Sequence, residues 1–186
     1  MQKVFIILIL KLCISGLTPA FSIDYSDSII QNNLKKEISW LTVEEAAAKL
    51  QKEKKPILID LYTDWCGWCK VMDKETYSNA SVIAYIEQHF YPVKLNAETR
   101  KVVNWGGKEF KYNPDYRVNE FAALITQGQL SYPSTVILPA DGSVPQAVPG
   151  YLKVPDMELI LRYFGDGHFG KTDFQAYHQA FKNTWK

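Results

Sequence analysis

The segment Trp65-Cys66-Gly67-Trp68-Cys69-Lys70 follows directly on the apolar run Pro56-Ile57-Leu58-Ile59-Asp60-Leu61-Tyr62. Such a run reads as a buried strand that delivers two thiols to the start of a helix. A thiol at a helix N-terminus faces unpaired backbone N–H groups and the positive end of the macrodipole. Its thiolate is thereby stabilised, and its pKa falls below that of free cysteine. The second thiol stands three residues on, one helical turn away, where it can close a disulfide across the turn. That geometry makes a redox centre.

The compartment bears on whether such a pair is used. Lys3 precedes the apolar stretch Val4-Phe5-Ile6-Ile7-Leu8-Ile9-Leu10, and Thr18-Pro19-Ala20 supplies small residues suited to signal-peptidase cleavage. Residues 1–20 read as a secretory signal cleaved near Ala20. An uncleaved anchor is the rival, but Lys11 interrupts the stretch, which falls short of the roughly 20 residues that span a bilayer. A lipoprotein signal at Cys13 is disfavoured because Lys11 and Leu12 are not the small residues that processing prefers. Cleavage leaves only Cys66 and Cys69, in a compartment expected to be oxidising. A disulfide this local restricts the unfolded chain little, so stapling is a poor reason for it. Removing residues 1–20 takes the formal charge from +1 to about −1, which gives no electrostatic case for nucleic acid or an anionic membrane surface.

The rest of the chain reads as one domain from residue 40 to residue 186, preceded by an extension over residues 21–39. Thr42-Val43-Glu44-Glu45 is a capping box, which predicts a helix to about Lys52 that breaks at Lys55-Pro56. A strand over Ile57 to Tyr62 leads to a helix from about Cys66 to Tyr77. Asn79 caps the next helix, with Val82, Ile83, Ile86 and Phe90 on one face, and Tyr91 to Asn96 reads as a strand. This alternation argues for an α/β sandwich with a partly parallel sheet. From Ala97 to Leu130 the route is longer than a minimal domain needs. It holds a hairpin turn at Gly106-Gly107, then Val118, Phe121, Ala122 and Ile125 at helical spacing, with Gly128 as the C′ residue. Two short strands, Ser134 to Leu138 and Gln146 to Val148, flank a hairpin signal at Asp141-Gly142. A closing helix spans Asp156 to Phe164, and Phe174, Tyr177, His178 and Phe181 line a last short helix expected to pack on the domain.

Over roughly Trp40 to Phe164 the chain resembles the thioredoxin superfamily, and within it the exported thioredoxin-like proteins. Cys66 and Cys69 match that family's nucleophilic and resolving thiols. Asp60, six residues before Cys66, falls where thioredoxins place a buried acid beneath the active site, and Lys94 matches the lysine that approaches it. Tyr132-Pro133-Ser134-Thr135 matches the loop whose proline is cis and faces the thiols, and Gly150 a glycine bordering the substrate groove. The resemblance implies a three-layer sandwich with a central mixed sheet flanked by helices, here with an inserted hairpin and helix. One departure is Gly67-Trp68 between the cysteines, where thioredoxins proper have Gly-Pro. The redox potential therefore stays open over roughly 150 mV, and about 30 mV is worth 1.4 kcal/mol.

On this reading Cys66, at the exposed helix N-terminus, attacks a client disulfide, and Cys69, a turn deeper, resolves the mixed disulfide. Asp60, otherwise unpartnered in an apolar strand, would have a raised pKa and accept the proton of Cys69; the plain alternative is an acid satisfied by Lys94 or water. Tyr132 and cis-Pro133 would pair with an extended client. Trp65 serves equally as packing or client rim, whereas Trp68, between the thiols, is expected to touch partners. Lys70 reads as solvated, and Trp105 and Tyr112 as satellite packing or an extended client surface. Zinc is disfavoured, because structural zinc sites are closed by a full set of Cys and His ligands and only His89, His168 and His178 stand at scattered positions. The expectation is an exported thiol-disulfide oxidoreductase of a Gram-negative periplasm that reduces protein disulfides as a monomer without a cofactor and is recharged by a membrane electron carrier. The alternatives are a disulfide oxidase or isomerase, and a non-catalytic client-binding module.

Overall fold

A computed structural model describes residues 37–186. The expected signal over residues 1–20 and most of the extension over residues 21–39 lie outside the described residues. Ile38 is 7% exposed and packs in the core, so the folded unit already includes the end of that extension.

The first helix, α1 (Val43–Lys52), starts as the capping box dictates: Glu45 N donates to Thr42 Oγ1 at 3.2 Å and Thr42 N donates to Glu45 Oε2 at 2.8 Å. Strand β1 (Ile57–Tyr62) follows, then α2 (Gly67–Glu75), α3 (Ala80–His89) capped by Asn79, and β2 (Tyr91–Asn96). Strands β7 (Ser134–Leu138) and β8 (Gln146–Pro149) complete a four-stranded mixed sheet in the order β2-β1-β7-β8. Strands β1 and β2 run parallel, and β7 is antiparallel to both β1 and β8.

The period-2 geometry of β1 divides the interior into two cores. Ile57, Ile59 and Leu61 face one side, packed with Val43 and Ala46 of α1 and with Phe121, Ala122 and Ile125 of α4 (Glu120–Ile125). Leu58 faces the other, packed with Met72 of α2, Val82, Ile83 and Ile86 of α3, and Met157 and Leu161 of α5 (Val154–Gly165). Helices therefore cover both faces of a mixed sheet, and burial of these apolar side chains, worth about 1.5 to 3 kcal/mol each, holds the layers together.

The inserted region departs from expectation in detail. The Gly106-Gly107 turn joins β3 (Val103–Trp105) to β4 (Lys108–Phe110), with both glycines in the left-handed region at φ 58° and 75°. A second ladder, β5 (Tyr112–Asn113) against β6 (Val118–Asn119), takes Val118 out of the helix its spacing proposed. Asn119 instead caps α4, accepting from Phe121 N at 2.9 Å. The C′ position belongs to Gln127 at φ 54°, with Gly128 next at φ 78°, so two residues rather than one turn the chain.

Other bounds also shift. Helix α2 stops at Glu75, two residues short of Tyr77, and α5 begins at Val154 with Pro155 in its first turn, a place where a missing N–H does no harm. The last helix, α6 (Phe174–Ala180), packs on the domain: Phe174 and Tyr177 lie 5.0 and 5.2 Å from Tyr163 between ring centroids. Beyond it the chain returns across α5 and α3, with Trp185 packed in the second core.

Candidate active site

Strand β1 ends beside the start of α2, and the turn between them closes with Cys66 N donating to Thr63 O at 3.1 Å. Cys66 occupies the N-cap of α2, so its sulfur accepts from Cys69 N at 3.1 Å. The two cysteines form a disulfide, with the S–S bond at 2.08 Å and the Cα atoms 5.3 Å apart. The Cys69 N–H that this sulfur accepts from, with the positive end of the helix behind it, would stabilise a thiolate there after reduction.

The exposed Cys66 and deeper Cys69 of the sequence reading are corrected: the two residues are 4% and 5% exposed, a difference too small to rank them. Trp65 and Trp68, at 67% and 63%, carry the surface instead. Each indole rests on a tyrosine. Trp65 meets Tyr132 edge-on at 5.8 Å, and Trp68 stacks on Tyr151 at 5.6 Å. A cleft of about 260 Å³ opens between them, lined by Trp68, Tyr132, Pro133, Gly150 and Tyr151. The Tyr132–Pro133 peptide bond is cis, and Pro133 O accepts from Gly150 N at 2.8 Å, which ties the loop to the far wall of the cleft. Gly150 sits at φ 95°, a conformation few L side chains adopt. Gly67 opens α2 with open space where a Cβ would stand.

Beneath this surface the parallel register sets Asp60 of β1 opposite Lys94 of β2. Lys94 Nζ lies 3.0 Å from Asp60 Oδ2, and it also pairs with Asp73 of α2. The three groups form a graded series, with side chains 3%, 24% and 43% exposed from Asp60 through Lys94 to Asp73. Burial raises the Asp60 carboxyl, and the attraction and hydrogen bond of Lys94 only partly oppose it, leaving the pKa at about 6. Burial alone would lower Lys94, but Asp60 and Asp73 outweigh it and hold the ammonium above the ordinary lysine value. Lys94 also lies over the rings of Trp40 and Tyr62, at 5.2 and 5.3 Å from their centroids, which gives the cation a further favourable contact. Tyr77 is buried next to this group and shares a 3.5 Å hydrogen bond with Thr135 Oγ1; burial, then Asp60, keep its phenol well above the usual range.

The structure thus brings Cys66, Cys69, Trp65, Trp68, Tyr132, Pro133 and Gly150 to one end of the sheet and sets Asp60 and Lys94 in register below. Lys70 is exposed. Trp105 and Tyr112 do not join the cleft: Trp105 packs on Phe121 at 5.8 Å and Tyr112 lies under Arg100 at 5.0 Å. Sequence reasoning missed Asp73, Tyr151 and Glu98, whose Oε1 accepts from Trp65 Nε1 at 2.9 Å. Asp73 had a legible signal, since it lies one helical turn after Cys69 on the same face. Tyr151 stands next to Gly150. Glu98 left no local trace. Among the described residues no group of His, Cys, Asp and Glu is arranged to hold a metal ion, and no helix is long and apolar enough to cross a membrane.

Comparison with known proteins gives the same architecture. A thioredoxin-fold protein from Helicobacter pylori is 19% identical, with a TM-score of 0.55 over 73% of this chain and 96% of the other. A thioredoxin from Thermus thermophilus is 16% identical, with a TM-score of 0.51 over 74% and 99%. Among curated proteins, the thiol:disulfide interchange protein DsbD of Vibrio vulnificus is 35% identical over 76 residues, 38% of this chain. Human spermatogenesis-associated protein 20 is 33% identical over 61 residues, 33% of this chain. The chain spans only 13% and 8% of these two relatives' own lengths. The thioredoxin-like domain family matches residues 43–165, more than half of the sequence, and the chain belongs to that family.

Proposed function

We propose that the chain is an exported thiol-disulfide oxidoreductase that reduces protein disulfides by cycling Cys66 and Cys69 between dithiol and disulfide. The observation that carries this reading is the Cys66–Cys69 disulfide at the N-cap of α2, at the edge of an aromatic cleft. In the reduced protein the Cys66 thiolate attacks one sulfur of a client disulfide. A mixed disulfide forms and the client's other sulfur leaves as thiolate. Cys69 then gives up its proton, attacks the Cys66 sulfur and releases the second client sulfur. The client gains two electrons and Cys66–Cys69 is left oxidised. Asp60, with its pKa near 6, is the acceptor proposed for the Cys69 proton, and Lys94 tunes that affinity. Trp68, Tyr132, Pro133 and Gly150 are the proposed client-binding residues, with Trp65 and Gly67 at the rim of the pair.

The reducing direction follows the family pattern, and export follows Lys3 and the apolar run after it. A protein reductase in an oxidising compartment must be recharged, so a membrane-embedded electron carrier is the proposed partner. Partial identity to a thiol:disulfide interchange protein is consistent with exchange chemistry. Insulin reduction with wild type, Cys66→Ala and Cys69→Ala is the test: wild type is expected to outpace both variants, and equal rates leave a client-holding module instead. Equilibration against a glutathione series decides direction, and a potential of about −120 mV would contradict the reductase assignment.

A further inference from the structure

We infer that Glu98 is a positioning residue for thiol exchange, and that the inserted segment exists in part to anchor it. Glu98 holds Trp65 against Tyr132 as a fixed wall beside Cys66. This deepens the reading above and rests on it.

A tryptophan with two-thirds of its surface in solvent would ordinarily sample several rotamers. Trp65 is restrained twice, by the 2.9 Å hydrogen bond from its indole N–H to Glu98 Oε1 and by its edge-on contact with Tyr132. Tyr132 is itself a cleft residue, joined to Pro133, so the indole is braced on the client loop. Glu98 is just as firmly held from behind. On one side of it, Ala97 N donates to Tyr62 O at 2.8 Å and Asn119 N donates to Ala97 O at 2.7 Å. On the other, the wholly buried Asn119 side chain donates to the carbonyls of Thr99, Lys101 and Phe110. Its own N–H, to Asn96 Oδ1 at 2.8 Å, closes the turn. The inserted ladders β3–β4 and β5–β6 thus meet at Asn119, and Asn119 fixes the loop that presents the carboxylate. The chain of contacts runs from the insertion through Glu98 and Trp65 to the residue neighbouring Cys66, which is 4% exposed despite its place at a helix terminus. A fixed Trp65 leaves the cleft as the route to that sulfur and favours slender, extended client segments over bulky approach.

The test uses the full chain with Cys69→Ser, reduced, and reads the Cys66 peptide by mass spectrometry after reaction with iodoacetamide or with a bulky maleimide dye. Glu98→Ala should raise the bulky-to-small rate ratio about threefold, somewhat less than the population factor of one hydrogen bond because the site is exposed. Glu98→Gln, which keeps Oε1 as acceptor, should leave the ratio at the wild-type value. Trp65→Phe, which keeps an aromatic ring but loses the indole N–H, should raise the ratio at least as much as Glu98→Ala, and adding Glu98→Ala to it should change nothing further. In otherwise wild-type protein, Glu98→Ala should raise KM for a protein disulfide by a similar factor at unchanged kcat. An unchanged ratio, a Gln variant that behaves as Ala, or additive effects in the double variant overturn the inference. The alkylation ratio is readable even if the wild-type protein reduces no client, so failure of the exchange reading shows separately, in the insulin assay.

Discussion

Replacing Asp60 by Asn should stabilise the oxidised protein at neutral pH, and the size of the effect can be worked from its environment. The carboxyl is 2% exposed, and its pKa rises from 3.8 to about 6 because burial penalises the charged form more than Lys94 favours it. The folded state therefore binds the Asp60 proton more tightly than the unfolded chain does. Stability falls as pH rises between the two values, with no penalty well below pH 3.8 and the full penalty above about 6. A shift of about two units corresponds to about 3 kcal/mol. Asn carries no charge at any pH and leaves Lys94 paired with Asp73, so the variant escapes the cost of burying that charge. In urea unfolding at a series of pH values, Asp60→Asn should gain about 2 to 3 kcal/mol over wild type between pH 4 and pH 7.5. A difference independent of pH, or a variant that loses ground as pH rises, would refute the account of Asp60 as a buried acid with raised proton affinity.

Glu158 should show the opposite sign. It is wholly buried in α5; burial raises its pKa, but hydrogen bonds from Thr184 Oγ1, Trp185 N, Thr184 N and Arg162 outweigh that and hold it below the usual glutamate value. Its contribution is present above the unfolded pKa and fades as pH falls through the folded one, and Glu158→Gln, whose NH2 must replace one of the two accepting oxygens and so face either the N–H groups of Thr184 and Trp185 or Arg162 Nε, should cost about 2 to 3 kcal/mol in urea unfolding at pH 7. Gly165→Ala would place a Cβ 2.7 Å from the Tyr85 hydroxyl, which donates to Asp166 at 2.7 Å, and a loss of about 1 to 3 kcal/mol is expected in thermal unfolding. Trp68→Ala removes the stack on Tyr151 from an exposed position; KM for protein disulfides should rise several-fold while stability stays within about 0.5 kcal/mol of wild type.

Much of the fold was legible because local and global signals agree. The capping box at Thr42, the Asn79 cap and the apolar run of β1 each name an element unaided, and strand and helix alternate as a layered α/β sheet requires. The insertion resisted because β5 and β6 are each two residues long, too short for any periodicity, and because Asn119 does its work through carbonyls distant in sequence. Helical spacing at Val118 was real but belonged to a strand whose next residue caps the helix. At the site, Cys66, Cys69 and the strand before them speak through spacing alone. Whether Asp60 meets Lys94 depends on the register of β1 against β2, which only the family resemblance supplied. The burial of Cys66 is a property of the assembled fold, and the hold of Glu98 on Trp65 is a hydrogen bond between residues 33 positions apart, so no linear pattern encodes either.

The most direct test of the central claim is covalent trapping. Reduced Cys69→Ser protein, mixed with a disulfide-bonded client and quenched with acid, should yield a mixed disulfide that peptide mapping assigns to Cys66, whereas Cys66→Ser should yield none. No covalent complex with Cys69→Ser, or a complex joined through Cys69 in the Cys66→Ser protein, would contradict the account.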